Sequence, residues 1–344
     1  MHTTFDLNDP VTEPGTDRVE SWFFRANCPS TPRAIWIKAT FLTSTSGRNL
    51  AQAWVSVFDG DSATAVWRSI DYGAAKVISA DGDHMITIGE TSFTVSGEGG
   101  ALRGHLDRDG QDIRWDIAFS RGADELADPL VLIGTAANVR RSRFPANKVV
   151  SPFPVVHCSG TVTIGREVWA LDGWSGMQGH NWGPAHSRQY VWGQAVFSER
   201  SDQQPFAYVE AASARVAIGN RMSPYFSVMT VRRGDEIYRF DRLFDLHRQR
   251  VDASFPRWWL RMRGAAGTAT LSMTARPEQF VILPYQNPAA PTRYCLNSKL
   301  AQVELRIQPH TGDGFVLRSD HGGALEFLVD DPRSLLPDAT VPFD

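Results

Sequence analysis

Apolar and polar positions alternate at period two along most of this chain. Residues 34–42 (Ala-Ile-Trp-Ile-Lys-Ala-Thr-Phe-Leu), 53–58, 112–119, 269–275 and 301–307 are the clearest runs. Such alternation marks half-buried strands. Turn signals separate them: Asp59-Gly60-Asp61, Asp81-Gly82-Asp83, the glycine-rich step 97–100, Asp109-Gly110, Gly234-Asp235 and Gly312-Asp313-Gly314. Asp-Gly between alternating runs predicts a tight hairpin. Helix-period patterns are rare, and one short helix is expected at 123–127, before Pro129. There is no strand–helix–strand alternation, so the pattern argues against a parallel dinucleotide-binding sheet. Pro145, Pro152 and Pro154 interrupt the middle of the chain. The pattern therefore predicts an all-β protein of antiparallel strands in barrels or sandwiches, divided into two domains, 15–185 and 186–344.

Composition narrows the partners. The chain has 344 residues, enough for two ordinary domains. Its formal net charge is −3, with both signs interspersed. That gives no electrostatic case for nucleic acid or an anionic membrane. Short arginine clusters (Arg140, Arg141, Arg143; Arg257, Arg261, Arg263) read as solvated faces or structural ion pairs. The cysteines, Cys28, Cys158 and Cys295, are odd in number and far apart. They read as reduced thiols of a cytoplasmic protein rather than a disulfide framework or zinc site. The N-terminal stretch is polar and acidic, unlike a signal peptide. The longest apolar run, near 130–139, is too short to span a bilayer. Nothing in the sequence demands more than a weak homo-oligomer.

The segment 176–183, Gly-Met-Gln-Gly-His-Asn-Trp-Gly, breaks the alternation. Its glycines, histidine, asparagine and tryptophan suit a shaped pocket wall better than a helix or a central strand. His180 is a candidate proton shuttle, and it equally fits a structural histidine holding a turn through backbone hydrogen bonds. Asn181 offers a donor and an acceptor to a substrate. In the strand-like run 206–210, Tyr208 and Glu210 share a face. Buried among aromatics, Glu210 would serve as a general acid; exposed, it would pair with an arginine. The chain carries 11 Trp and 19 Phe. That density suggests a cavity lined by Trp22, Trp36, Trp54, Trp182, Tyr190, Trp192 and Tyr208, although any one aromatic is more often plain core. Gly173-Trp174-Ser175-Gly176 does not fit the G-x-S-x-G nucleophile elbow. No phosphate loop or metal-ligand spacing is present, so no cofactor and no metal are expected.

His180-Asn181-Trp182-Gly183 and the looser Glu20-Ser21-Trp22-Phe23-Phe24 carry a resemblance. The chain resembles the carotenoid 1,2-hydratase and AttH-like family of the calycin superfamily, a group that includes tocopherol-cyclase relatives and lipocalin-like Diels–Alderases. The resemblance implies two lipocalin-like domains with a cavity near their interface. It also implies cofactor-independent chemistry on a hydrophobic small molecule: a terpenoid, steroid, polyketide or aromatic. In hydratase-like members an acid two positions before the motif Asn looks like the proton donor; here Gly179 stands there. Either His180 or a carboxylate from elsewhere (Glu210, Glu20 or Asp172) takes that task, or the reaction needs no strong acid. The leading expectation is thus an isomerase, cyclase or hydratase/lyase that preorganises its substrate. The alternative is a non-catalytic lipid or terpenoid carrier.

Overall fold

A computed structural model describes residues 7–200, 203–218 and 221–336. Thirteen strands build the first sheet. They are β1 (Arg18–Asn27), β2 (Arg33–Thr43), β3 (Leu50–Asp59), β4 (Ser62–Asp71), β5 (Lys76–Ala80), β6 (Asp83–Ile88) and β7 (Thr91–Ser96). There follow β8 (Gly99–Arg108), β9 (Gln111–Arg121), β10 (Leu130–Val131), β11 (Lys148–Ile164), β12 (Glu167–Ala170) and β13 (Ser175–Gly183). Their order is β4-β3-β2-β1-β13-β11-β9-β8-β7-β6-β5, with β10 and β12 paired to β11.

The second half contributes β14 (Gln189–Phe197), β15 (Ala207–Arg215), the small pair β16 (Ala217–Ile218) and β17 (Arg221–Met222), β18 (Phe226–Arg233) and β19 (Glu236–Phe240). It continues with β20 (Arg250–Asp252), β21 (Arg257–Gly264), β22 (Gly267–Thr274), β23 (Val281–Tyr285), β24 (Arg293–Gln308) and β25 (Phe315–Val329). The second sheet runs β19-β18-β15-β14-β25-β24-β22-β21-β20, with β23 on β24. Among the described residues, every strand pair in both sheets is antiparallel. The chain passes from one sheet to the other across 184–188, while 337–344 lie outside the described residues.

Every run expected as a strand is one, and the hairpins fall where the turn residues put them. Asp81-Gly82 and Asp109-Gly110 have positive φ at both central positions (53° and 87°; 53° and 80°), as a type I′ hairpin requires. The expected short helix at 123–127 is a single 3₁₀ turn, Asp124–Leu126. The segment 176–183 departs most from expectation. It is an internal strand, β13, between β1 and β11. Its glycines make room for neighbours rather than a turn: a Cβ on Gly179 would stand 2.2 Å from the Phe23 ring.

Each sheet buries one face in its own core, and the strands that meet the other sheet bury their second face as well, while β6, β9 and β21 alternate buried and exposed residues. Inside the first sheet, Trp22, Phe24, Ile35, Ile37, Val55, Trp115 and their neighbours form one core. The second sheet encloses its own core around Trp258, Leu271 and Phe327. The outer faces then pack together through two further apolar clusters. One contains Trp36, Trp54, Trp67, Leu283 and Tyr285; the other contains Phe23, Met177, Trp192, Tyr208 and Val228. This is why β1, β2 and β3 are buried nearly throughout rather than on alternate residues.

A buried polar seam joins the two sheets. From β1, Arg25 donates to Gln194 Oε1 on β14, to the Gln194 carbonyl (3.3 Å) and to the Gly322 carbonyl (3.2 Å), and it also bonds Asn27. Asn27 in turn donates to the carbonyls of Lys299 (2.6 Å) and His321 (3.0 Å). Gln194 donates back to the Pro154 carbonyl, and Ser151 on β11 donates to Glu210 on β15 (2.6 Å). Burial lowers Arg25 to about 9 against the opposing charge of Glu210. The Glu210 carboxyl is raised by burial from 4.5 to about 7, although Ser151, Trp192 and Arg25 all pull it down.

Two tests follow from the seam. Arg25→Met leaves several buried acceptors unsatisfied and should cost about 3–5 kcal/mol, measured by urea unfolding. Glu210 binds its proton more tightly folded than unfolded. Its contribution is therefore complete below pH 4.5 and lost as pH rises through about 7. Unfolding measured across that window should show a fall in stability for the wild type that is absent in Glu210→Gln.

Candidate active site between the two sheets

A cavity of about 470 Å³ lies between the outer faces of the two sheets, within the size range of small-molecule sites. The register of three strands explains one wall. Lys38 on β2, Phe23 on β1 and Gly179 on β13 stand in one row. The next row is Trp36, Arg25 and Met177, and the row on the other side is Thr40, Ser21 and Asn181. Phe23, Trp36, Lys38 and Asn181 reach the cavity.

The facing wall comes from the second sheet. One row across it is Val228, Ala212, Trp192 and Glu326; the next is Phe226, Ala214 and Tyr190. All of these line the cavity. The small side chains of Ala212 and Ala214 leave the space that larger residues would fill. Segments 143–149 and 185–188 cover one side, and Arg143, Phe144 and Arg188 there are exposed. Lys38, Trp36, Trp192 and Tyr285 at the other side are buried. The cavity therefore runs from an exposed lip to a buried floor.

The floor is polar. Glu326 accepts hydrogen bonds from Lys299 Nζ (2.7 Å) and Asn297 Nδ2 (3.0 Å), and the Cys295 thiol lies 3.6 Å from its other oxygen. The Tyr190 phenol faces the same cluster. Burial, reinforced by Cys295 and Glu326, holds the Tyr190 and Tyr285 phenols well above their ordinary value, so both stay neutral donors. Lys38 Nζ sits 3.8 Å over the Tyr285 ring. Burial, together with the charge of Lys299, lowers Lys38 to about 8 despite the counter-effect of Glu326. His186 stacks on Tyr285 (4.7 Å between ring centres); burial, then the Lys38 charge, pushes it well below its ordinary value and leaves it neutral.

The residues named from the sequence divide into three groups. Trp36, Asn181, Trp182, Tyr190 and Trp192 line the cavity. Glu210 and Tyr208 lie behind that lining: Trp192 Nε1 donates to Glu210 (3.1 Å), and Tyr208 packs in the cluster around Phe23 and Trp192. Trp54 stacks on Trp67 (5.3 Å) behind Tyr285. Asp172 is exposed in the turn before β13.

The third group, His180, Glu20 and Trp22, does not line the cavity. His180 Nε2 lies 2.9 Å from Glu20, its ring stacks on Trp22 (4.6 Å), and its Nδ1 lies 2.7 Å from the Leu7 carbonyl. Glu20 also accepts from the Val11 and Thr12 amides (2.8 and 2.6 Å), and Trp22 Nε1 donates to the Asn8 carbonyl. Burial favours a raised Glu20 carboxyl, but the His180 bond and charge, with the Thr12 and Val11 bonds, bring it below its usual value. Together these side chains tie the N-terminal strap 7–12 across the first sheet. The floor residues Lys38, Tyr285 and Glu326 were not singled out from the sequence. The available signal was a lysine inside the apolar run 34–42.

Among the described residues, no group of three or more His, Cys, Asp or Glu is placed to hold a metal ion, and no helix is long and apolar enough to cross a membrane. No protein-family model matches the chain, and no curated protein matches it. Solved structures do. The crystal structure of CghA is similar at TM-score 0.57 and 13% identity, over 91% of this chain and 88% of that one. CghA with Sch210972 is similar at TM-score 0.56 and 14% identity, over the same shares. A putative AttH from Nitrosomonas europaea is similar at TM-score 0.54 and 13% identity, over 91% and 92%. The chain thus has the two-domain, lipocalin-like all-β fold of these proteins.

The strap provides a test of His180. His180→Ala removes a partner from a buried carboxylate and should cost about 1–3 kcal/mol or more. Hydrogen exchange should show the Val11 and Thr12 amides losing protection first. Unchanged protection at those amides would contradict the tie described here.

Proposed function

We propose that this protein is an enzyme that closes or isomerises a hydrophobic, carbonyl-bearing small molecule held between its two sheets, without a cofactor. The observation that carries this reading is the cavity itself: aromatic walls converge on a polar floor of Lys38, Tyr190, Tyr285 and Glu326. A pocket with a few convergent polar groups and perturbed protonation is the usual form of an active site. CghA, which shares the fold, is crystallised with the small molecule Sch210972.

In this reading Phe23, Trp36, Trp192 and Phe226 fold the substrate, which lowers the entropy of reaching a ring-closing geometry. Lys38 stabilises the negative charge that develops on the carbonyl oxygen, in a site where low dielectric strengthens such a contact. Tyr190 or Tyr285 supplies a neutral hydrogen-bond donor. Asn181 orients a second polar substituent. Glu210 acts from behind Trp192, fixing the indole through its N–H. His180 and Glu20 hold the strap and do not touch substrate.

Linear polyene substrates bearing a terminal carbonyl, incubated with the enzyme and followed by mass and retention time, test the reading. Lys38→Met should slow conversion by about 10²–10³-fold. Lys38 faces Glu326, Lys299, Cys295, Tyr285, Trp36 and His186. Its protonated form is the active one, so the wild-type rate should be level below its titration and fall as pH rises through about 8. Recovery of every bound compound unchanged would instead identify a carrier.

A further inference from the structure

The chain as a whole is acidic, at −3, yet the cavity is not. Its lining includes Lys38, Arg143, Lys148, Arg188 and Arg215 against a single carboxylate, Glu326. Glu326 is already committed to Lys299 at 2.7 Å and to Asn297 at 3.0 Å. The basic residues have no such partner. Lys148 donates to the Pro145 carbonyl, and Arg215 donates to the Ser223 carbonyl (2.7 Å) and to Gln189. Among the described residues, none of the five forms a salt bridge with a carboxylate.

Lys38 carries the point furthest. Its ammonium is buried, has no hydrogen bond among the described residues, and rests on an aromatic face. Counting Lys299 and Glu326 as a neutral pair, Lys38 is an uncompensated buried charge. Such a charge is costly unless something of opposite sign comes to it. The aromatic ring offsets part of that cost, but it cannot supply a counter-charge. Arg143 and Arg188, exposed at the lip, extend the same sign outward and favour approach of an anion.

We infer that the cavity takes amphiphilic acids: hydrophobic molecules bearing one ionised carboxylate or enolate, bound with that group against Lys38 and the apolar body between Trp36, Trp192 and Phe226. This rests on the cavity being the ligand site proposed above. It adds the charge of the ligand and the end at which the charge sits.

Dodecanoate and dodecanol, matched in length and differing in charge, are suitable probes. Titration calorimetry at pH 7 should show dodecanoate binding about tenfold or more tightly than dodecanol, the size expected for a charged hydrogen bond. Lys38→Met should erase most of that preference while still binding dodecanol, and Lys38→Arg should keep it. Folding of both variants is checked by circular dichroism, and the wild-type preference is informative without either. Equal binding of the two probes to the wild type overturns the inference and leaves the cavity reading standing. A preference undiminished in Lys38→Met overturns the placement at Lys38. Binding of neither probe overturns the cavity reading, and the inference with it.

Discussion

The buried contact of Arg25 with the second sheet is the constraint on which this molecule's architecture depends. Among the described residues, no backbone ladder joins the two sheets. They are held by apolar packing, which has no directional preference, and by a seam that does. A guanidinium taken fully out of water must find its acceptors in fixed positions or cost several kcal/mol. Gln194, Gly322 and Asn27 are those positions. Their geometry sets the distance between the sheets and so keeps the adjoining gap open. The cavity is the part of the interface that neither the seam nor the aromatic clusters fill.

Much of the fold was legible because strand alternation and Asp-Gly turns are local. Residues 34–42 and 112–119 announce strands, and the turns at 81–82 and 109–110 need only their own backbone angles. The site was less legible, for a specific reason. Period two tells which residues share a face but not which face meets the cavity, and in β1 both faces are buried. Trp22 and Phe23 are neighbours in sequence, yet one stacks on His180 inside the first sheet and the other looks into the cavity. Lys38 was hidden by the same rule, since a lysine in an alternating run reads as a solvent-facing position. Only the second sheet, laid over it, makes that position interior. β13 escaped because its glycines answer to Phe23 and Arg25 on another strand, and no local pattern encodes that.

The two sequence motifs that suggested the family serve different places in the molecule. Alternate residues of β13 point to opposite sides of one sheet. His180 turns inward to the strap, and Asn181 turns outward to the cavity. At position 179 the far end of the Phe23 ring occupies the space a side chain would take, and the polar group of that row is Lys38, two strands away.

Ala212 and Ala214 lie side by side on the cavity face of β15, within a ladder whose hydrogen bonds belong to the backbone alone. Enlarging either side chain would reshape the chamber while leaving the seam, the strap and the charged floor where they are. Shape and chemistry are therefore inherited separately in this scaffold. A lineage could drift from one carbon skeleton to another by single alanine exchanges, with the groups that handle charge held constant throughout.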